Sequence, residues 1–281
     1  MGPPVEPGDV GILEFDTMLH NLLTVGLASF AAVVLCMLLL WLLSIAIRDV
    51  SIVDIFWGPG FAVVAWVAYW LGDGSPERKL LLTVLATLWA GRLGLALLAR
   101  KFRHGGEDAR YTAMRKHVPG DFNLFALRMV FGLQALLMWV ISLPLQVGQV
   151  YAAPVALGPL AFIGAALWLI GFLFEAVGDW QMDRFKANPG NAGRVMDQGL
   201  WRYTRHPNYF GDALLWWGMG LIACENLVGV PALIGPAVIT FLLVRVSGKA
   251  LLERRMKRAK PEYALYIERT PGFLPWFPKR G

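Results

Sequence analysis

The chain has 281 residues, 57% of them hydrophobic and 16% charged, with a net charge of +6 and a mean hydropathy of +0.52. That balance lies well beyond the apolar fraction of a soluble domain and indicates an integral membrane protein. A disulfide framework or thiolate metal site is excluded, because Cys36 and Cys224 both sit inside apolar runs and suit small-hydrophobe packing.

The N-terminal segment MGPPVEPGDVGILEFDTMLH carries acids and no lysine or arginine, the wrong flank for a cleaved signal peptide. The first span is therefore expected to stay in the mature protein. Scanning for the roughly 20 apolar residues that cross a bilayer gives seven helical spans. They lie near 21–47, 51–71, 80–99, 123–147, 154–178, 208–225 and 228–247. The spacing predicts an all-α, polytopic membrane bundle: an N-terminal tail over 1–20, then a single domain over 21–281 without repeats or linkers.

Basic residues fall on alternate loops. The third loop holds Arg100, Lys101, Arg103, Arg110, Arg115 and Lys116, and the fifth holds Arg184, Lys186, Arg194, Arg202 and Arg205. The C-terminal tail, with its run KALLERRMKRAK, is also basic. The second loop has only Arg78 and Lys79, and the fourth and sixth have none. By the positive-inside bias the N-terminus is outside and the C-terminus cytoplasmic, as an odd number of spans requires. Topology and anionic-lipid contact also account for many of these cations, those of the tail above all.

Charges within spans cost several kcal/mol unless paired or wet, and so mark function by default. Arg128 and Arg245 lie near span ends and can snorkel. Asp54, Arg92, Glu175, Asp179 and Asp212 need partners. GxxxxGK[ST], GxGxxG, HExxH and GxSxG are all absent, so neither a soluble nucleotide fold nor a zinc or serine hydrolase is supported. The four histidines have no metal-ligand spacing, so no metal is expected, nor is a nucleic-acid partner.

Four polar clusters remain, which the topology puts on the cytoplasmic side. Asp54 in SIVDIFWGPGF stands beside Gly58 and Gly60, which admit close approach; it also suits a helix cap or a pair with Arg48. GGEDARY at 105–111 follows Arg92, Arg100 and Arg103, and alone suits a solvated loop. In EAVGDWQMDRFK, Glu175 and Asp179 are four apart on one helical face, with Asp183 a turn on. In WRYTRHPNYFGD, Pro207 and Asn208 open a helix whose N-terminus, flanked by Arg205 and His206, is an anion site. With Arg110, Lys186, Arg194 and Arg202 this implies a ligand bearing several phosphates or carboxylates.

GLWRYTRHPNYFGDALLWWG, together with SIVDIFWGPGF, LWAGRLG, GEDARY, FEAVGDWQMDRFK and PEYALYIERTPGFLPWFPK, closely resembles the bacterial DUF1295 family, a branch of the steroid 5-alpha-reductase-like membrane proteins. The resemblance runs from about residue 50 to the C-terminus. Sterol reductases and isoprenylcysteine carboxyl methyltransferases are wider relatives that share the RHPNY-type stretch.

The resemblance implies a seven-span enzyme of a bacterial inner membrane, with NADPH in a cytoplasmic pocket built mainly from 100–121, 175–212 and 249–281. A membrane-facing cavity holds a steroid- or isoprenoid-like enone. It implies that Asp54 stands where the steroid reductases bond the substrate carbonyl. Glu175 and Asp179 match an asparagine and an aspartate that hold the cofactor. Arg194 and Asn208 match residues that touch the dinucleotide, and Arg110 and Lys186 match basic positions nearby. Arg205 and His206 flank that stretch, and Glu253 and Arg254 fall on a final helix lining the pocket. There is one departure: LWAGRLGLALLAR lacks the tyrosine that steroid reductases pair with their acid, and Arg92 is the polar residue there.

A neutral carboxyl of raised pKa at Asp54, or the cation of Arg92, could polarise the carbonyl. Two other readings remain open: an S-adenosylmethionine-dependent membrane methyltransferase on the same scaffold, and a non-enzymatic lipid-binding or transport protein. The first predicts a ligand without phosphates. The second predicts function that survives apolar replacement of Asp54, Asp179 and Asn208.

Overall fold

The computed structural model describes residues 7–246, 252, 253, 256, 260 and 262–279, with the backbone alone for 7–15 and His104. Arg254 lies outside the described residues. Eleven helices order the described chain: α1 Pro7–Ile47, α2 Ile52–Leu71, α3 Pro76–His104, α4 Ala109–His117, α5 Phe122–Ala126, α6 Leu133–Ile141, α7 Leu143–Val147, α8 Pro159–Ala187, α9 Pro207–Ile222, α10 Ile234–Phe241 and α11 Tyr263–Arg269. No strand occurs among the described residues. Among the described residues six helical stretches are long and apolar enough to cross a membrane: Asp16–Ile47, Ile52–Leu71, Pro76–Arg103, Phe122–Ile141, Pro159–Ala187 and Leu227–Val246. The protein is an all-helical, multi-pass membrane protein.

The fifth and sixth spans depart most from the sequence expectation. The fifth begins at Pro159 rather than near 154, where proline suits a first helical turn. The expected sixth is α9, a helix of 16 residues. At 1.5 Å per residue that is about 24 Å, short of a full hydrocarbon crossing.

The chain forms two compact units, 1–158 with 223–232, and 159–222 with 233–281. In the first unit α2 packs between α1 and α3. Phe61 and Trp89 are fully buried there and meet edge to face at 5.6 Å. Gly58 permits this approach, since a Cβ at that position would lie 2.9 Å from the Ala90 carbonyl oxygen. Arg78, assigned to a loop by sequence, is instead buried in the first turns of α3. Its guanidinium donates to the carbonyls of Gly148 (2.8 Å), Pro154 (3.3 Å) and Tyr151, and lies 3.9 Å from the Tyr151 ring centre. Backbone acceptors and a π face thus replace the water this cation gives up.

In the second unit α8 and α9 pack backbone to backbone. Gly164, Gly171 and Gly178 recur every seven residues on α8, and Gly211 and Gly218 recur at the same interval on α9. A Cβ on Gly171 would lie 2.5 Å from the Gly211 oxygen, and one on Gly218 2.5 Å from the Gly164 oxygen. Small residues allow such packing between apolar helices that gain little from the hydrophobic effect in lipid. Beyond α9 the chain returns through the segment around Pro271. Arg205 N–H donates to Pro271 O at 2.9 Å, Thr204 Oγ1 to Phe273 O at 2.9 Å, and Trp276 N–H to Tyr203 O at 2.9 Å.

Candidate functional site

Two polar constellations stand out, one in each unit. The first is built on the N-terminal turn of α2. Asp54 lies there, where the helix dipole favours an acid. The GGEDARY motif folds against that turn. Gly105 and Gly106 both have φ of +64°, the left-handed region that glycine occupies without strain. Glu107 then accepts from Val50 N–H at 3.0 Å and from Arg115 Nη2 at 2.9 Å, tying the loop to the start of α2. Asp108 caps α4 by accepting from Arg110 N–H at 2.8 Å.

This loop brings Arg110 and Tyr111 onto Asp54. Arg110 Nη2 donates to Asp54 Oδ2 at 2.7 Å, and Tyr111 OH donates to Oδ1 at 2.8 Å. Both carboxylate oxygens are therefore engaged. Burial disfavours the Arg110 charge, yet its hydrogen bond to Asp108 and the charges of Asp54 and Asp108 hold its pKa above the ordinary arginine value. Burial pushes the Tyr111 phenol up, and the Asp54 charge pushes it further. Nearby, Lys101 donates to Asp49, Ser51 Oγ and the Gly106 carbonyl. A cavity of about 370 Å³ opens beside Ser51, Asp54, Ile55, Arg100, Lys101 and Arg110.

By sequence Asp54 suited a helix cap or a pair with Arg48; Arg110 and Tyr111 hold it in the structure. Arg92 is half-buried on α3. The sequence pointed to Arg110 only as a cofactor residue and gave no role to Tyr111, although both lie in GGEDARY. The signal was the short helix: an Asp108 cap fixes the next residues in its first turn, and two successive turn residues can grip one acid.

The second constellation lies on α8, α9 and the C-terminal segment. Glu175 is buried on the face that meets Gly211. Asn208 Nδ2 donates to Asp179 Oδ1 at 3.2 Å, joining the first turn of α9 to α8. Arg205 and His206 are both buried and converge on Glu253. Arg205 Nε donates to Glu253 Oε1 at 2.9 Å, and His206 Nε2 is 3.0 Å from the same oxygen. The remaining Arg205 contacts are structural: Nη1 donates to Ile267 O at 2.9 Å and to Thr270 O at 2.5 Å. Burial alone would raise Glu253, but the hydrogen bonds and charges of His206 and Arg205 outweigh it and bring the pKa down to about 2.

Lys186 and Arg194 are exposed near the end of α8, and Lys260 Nζ donates to the Arg194 carbonyl. A cavity of about 530 Å³ lies there, lined by Trp180, Gln181, Arg184, Asn188 and Asn191 among others. Arg184 sits over the Trp180 ring at 5.5 Å. Of the three segments expected to build one cofactor pocket, 100–121 lies in the first unit, and 175–212 with the described part of 249–281 lies in the second.

An uncharacterized protein of the fission yeast Schizosaccharomyces pombe is 26% identical to this chain, over 84% of the chain and 75% of that protein. No solved structure matches. The family model described as "Protein of unknown function (DUF1295)" matches residues 40–270, and the chain belongs to that family.

Proposed function

We propose that this membrane protein is an NADPH-dependent reductase of a carbon–carbon double bond conjugated to a carbonyl in a lipid-like substrate. The observation that carries the reading is the arrangement on Asp54: a carboxylate at the start of a membrane span, engaged by a protonated phenol and a guanidinium at 2.8 and 2.7 Å. Reduction of an enone places negative charge on its oxygen, and fixed donors aimed at that charge are often the largest single contribution to the rate. Tyr111 has one proton, which Asp54 accepts in this structure; to serve as donor the hydroxyl must turn it from Asp54 to the substrate oxygen when that arrives, with Arg110 still neutralising the carboxylate. Arg110 supplies a second donor with permanent charge. Asp54 is thus the positioning acid, and Tyr111 takes the donor role proposed from sequence for a neutral Asp54 or for Arg92.

NADPH would supply the hydride. Residues of the second unit suit such a ligand. Arg184, Lys186 and Arg194 offer cations for its phosphates, and Asp179, Asn188 and Asn191 offer hydrogen bonds to ribose and amide groups. Trp180 provides an aromatic face beside a cavity within the volume range of small-molecule sites. Arg205, His206 and Glu253 act at one remove by fixing the C-terminal segment against α9. The proposed orientation, N-terminus outside and C-terminus cytoplasmic, gives the basic loops access to a soluble cofactor.

The test is titration of the purified protein in mild detergent with NADPH and, separately, with S-adenosylmethionine, followed by enone-dependent NADPH oxidation. Binding of NADPH, with oxidation that Asp54→Asn abolishes and binding that it leaves intact, is the expected result. Binding of the methyl donor without NADPH would overturn the reductase in favour of the methyltransferase reading.

A further inference from the structure

The ending TPGFLPWFPK belongs to a motif to which the reductase reading gives no role. It leaves α11 at Thr270 and runs on as irregular backbone to Lys279. Three large apolar side chains on it, Leu274, Trp276 and Phe277, are 68%, 71% and 71% exposed, a patch that in water would want a cover. Ring contacts within the second unit fix how deep the segment lies. Phe273 meets Phe210 with ring centres 6.1 Å apart, and Phe210 meets Phe174 of α8 at 5.1 Å. At 1.5 Å per residue Phe174 is about 22 Å along α8 from Pro159, still inside the roughly 30 Å of hydrocarbon that a spanning helix crosses. Further along α8 the exposed stripe Leu173, Val177 and Trp180 ends at Arg184, which sits over the Trp180 ring, as expected where a span leaves lipid. The segment therefore joins α8 and α9 at the membrane boundary, on the side of the basic loops.

Irregular backbone is tolerated at that depth only where its polar groups are satisfied. Pro271, Pro275 and Pro278 carry no N–H to satisfy. The Pro271 and Phe273 carbonyls accept from Arg205 N–H and Thr204 Oγ1, and Trp276 and Lys279 N–H donate to the Tyr203 and Arg269 carbonyls, each at 2.9 Å. The last of these bonds brings Lys279 beside Arg269, and both residues are exposed. We propose that residues 273–279 form an interfacial anchor: Leu274, Trp276 and Phe277 enter the boundary between acyl chains and headgroups, and Lys279 with Arg269 binds the phosphate of an anionic lipid. Tryptophan favours that boundary, and cations beside it complement an anionic surface. Arg205 donates to the Ile267 and Thr270 carbonyls just ahead of the segment, so the anchor also steadies the backbone on which the Arg205, His206 and Glu253 cluster is built. An anchor of this kind serves the second unit whatever reaction the protein runs.

The test places the full-length protein in phospholipid nanodiscs, with Cys36→Ala and Cys224→Ala so that a nitroxide attaches only at one introduced site. The sites are Leu274→Cys, Phe277→Cys and, as a control in the exposed loop after α8, Ala192→Cys. Dissolved oxygen relaxes a label in lipid, and a water-soluble nickel chelate relaxes one in solvent. Labels at 274 and 277 should respond to oxygen and lose the response to nickel, with the reverse pattern at 192. Phe277→Cys keeps the question open to measurement should Leu274→Cys not fold. Adding phosphatidylglycerol to phosphatidylcholine should move both labels deeper, and Arg269→Glu combined with Lys279→Glu should abolish that shift. Nickel access at 274 and 277 would put the segment in water and overturn the anchor. Labels shielded from both reagents would mean that protein, a second copy included, covers the patch, and would overturn it equally. Labels that respond to oxygen but ignore phosphatidylglycerol, or a shift that survives the double charge reversal, would overturn the anionic-lipid contact.

Discussion

A tyrosine that keeps its proton can donate across the whole physiological range, and burial with the Asp54 charge beside it sets Tyr111 in that state. Two expectations follow at this scale. Tyr111→Phe should lower enone reduction by about two orders of magnitude, the usual cost of removing one donor from a developing oxyanion, with NADPH affinity unchanged. The rate should also stay flat from neutral pH to about 10, the ordinary tyrosine value, because the raised phenol pKa delays loss of the proton. A pH–rate profile checks this; a fall between pH 7 and 9 would remove Tyr111 from the donor role. The same residues show what was legible. Asp54 was, because a charge in an apolar run is costly and therefore conspicuous. Tyr111 was not, because a tyrosine in a polar loop is ordinary until the α4 cap turns it towards α2.

Between elements, Glu253 and the α8–α9 seam carry the testable energetics. Glu253 has a folded pKa of about 2 against an ordinary 4.5, so its contribution is present above 4.5 and lost as pH falls towards 2. That shift corresponds to about 3 kcal/mol. Glu253→Gln should therefore lower the melting temperature at pH 7 and flatten the acid limb of the stability curve, as thermal unfolding in detergent would report. Arg205 was expected to read phosphates; with its guanidinium engaged by Glu253 and two carbonyls, it holds the chain around Thr270 in place.

On the α8–α9 seam, Gly171→Leu should destabilise by about 3 kcal/mol or more, since its side chain meets backbone that cannot withdraw. Gly91→Ala, in open space on α3, should be neutral or stabilising by up to about 1 kcal/mol. Equal melting temperatures for these two variants would refute the close-packing account. The seven-residue glycine spacing was visible in the sequence, but which helix it faced was not.

For the whole molecule, composition and the length of the apolar runs already required a multi-pass helical membrane protein, because in lipid only structures that satisfy their own backbone can span. The proposed orientation predicts that a reporter fused to the N-terminus is accessible from outside and one at the C-terminus from the cytoplasm. Reporters on the same side would mean that α9, with 16 residues, does not cross. The sequence by itself determined the class, six of the apolar spans and the charges that demand partners, since these depend on local hydropathy and desolvation cost. Which partners they found was decided by tertiary structure. Arg110 and Tyr111 on Asp54, Glu253 between Arg205 and His206, and the cavity shared by α2 and α3 all join residues far apart in the chain. Such pairings are fixed by cap geometry and helix packing, which have no one-dimensional signature.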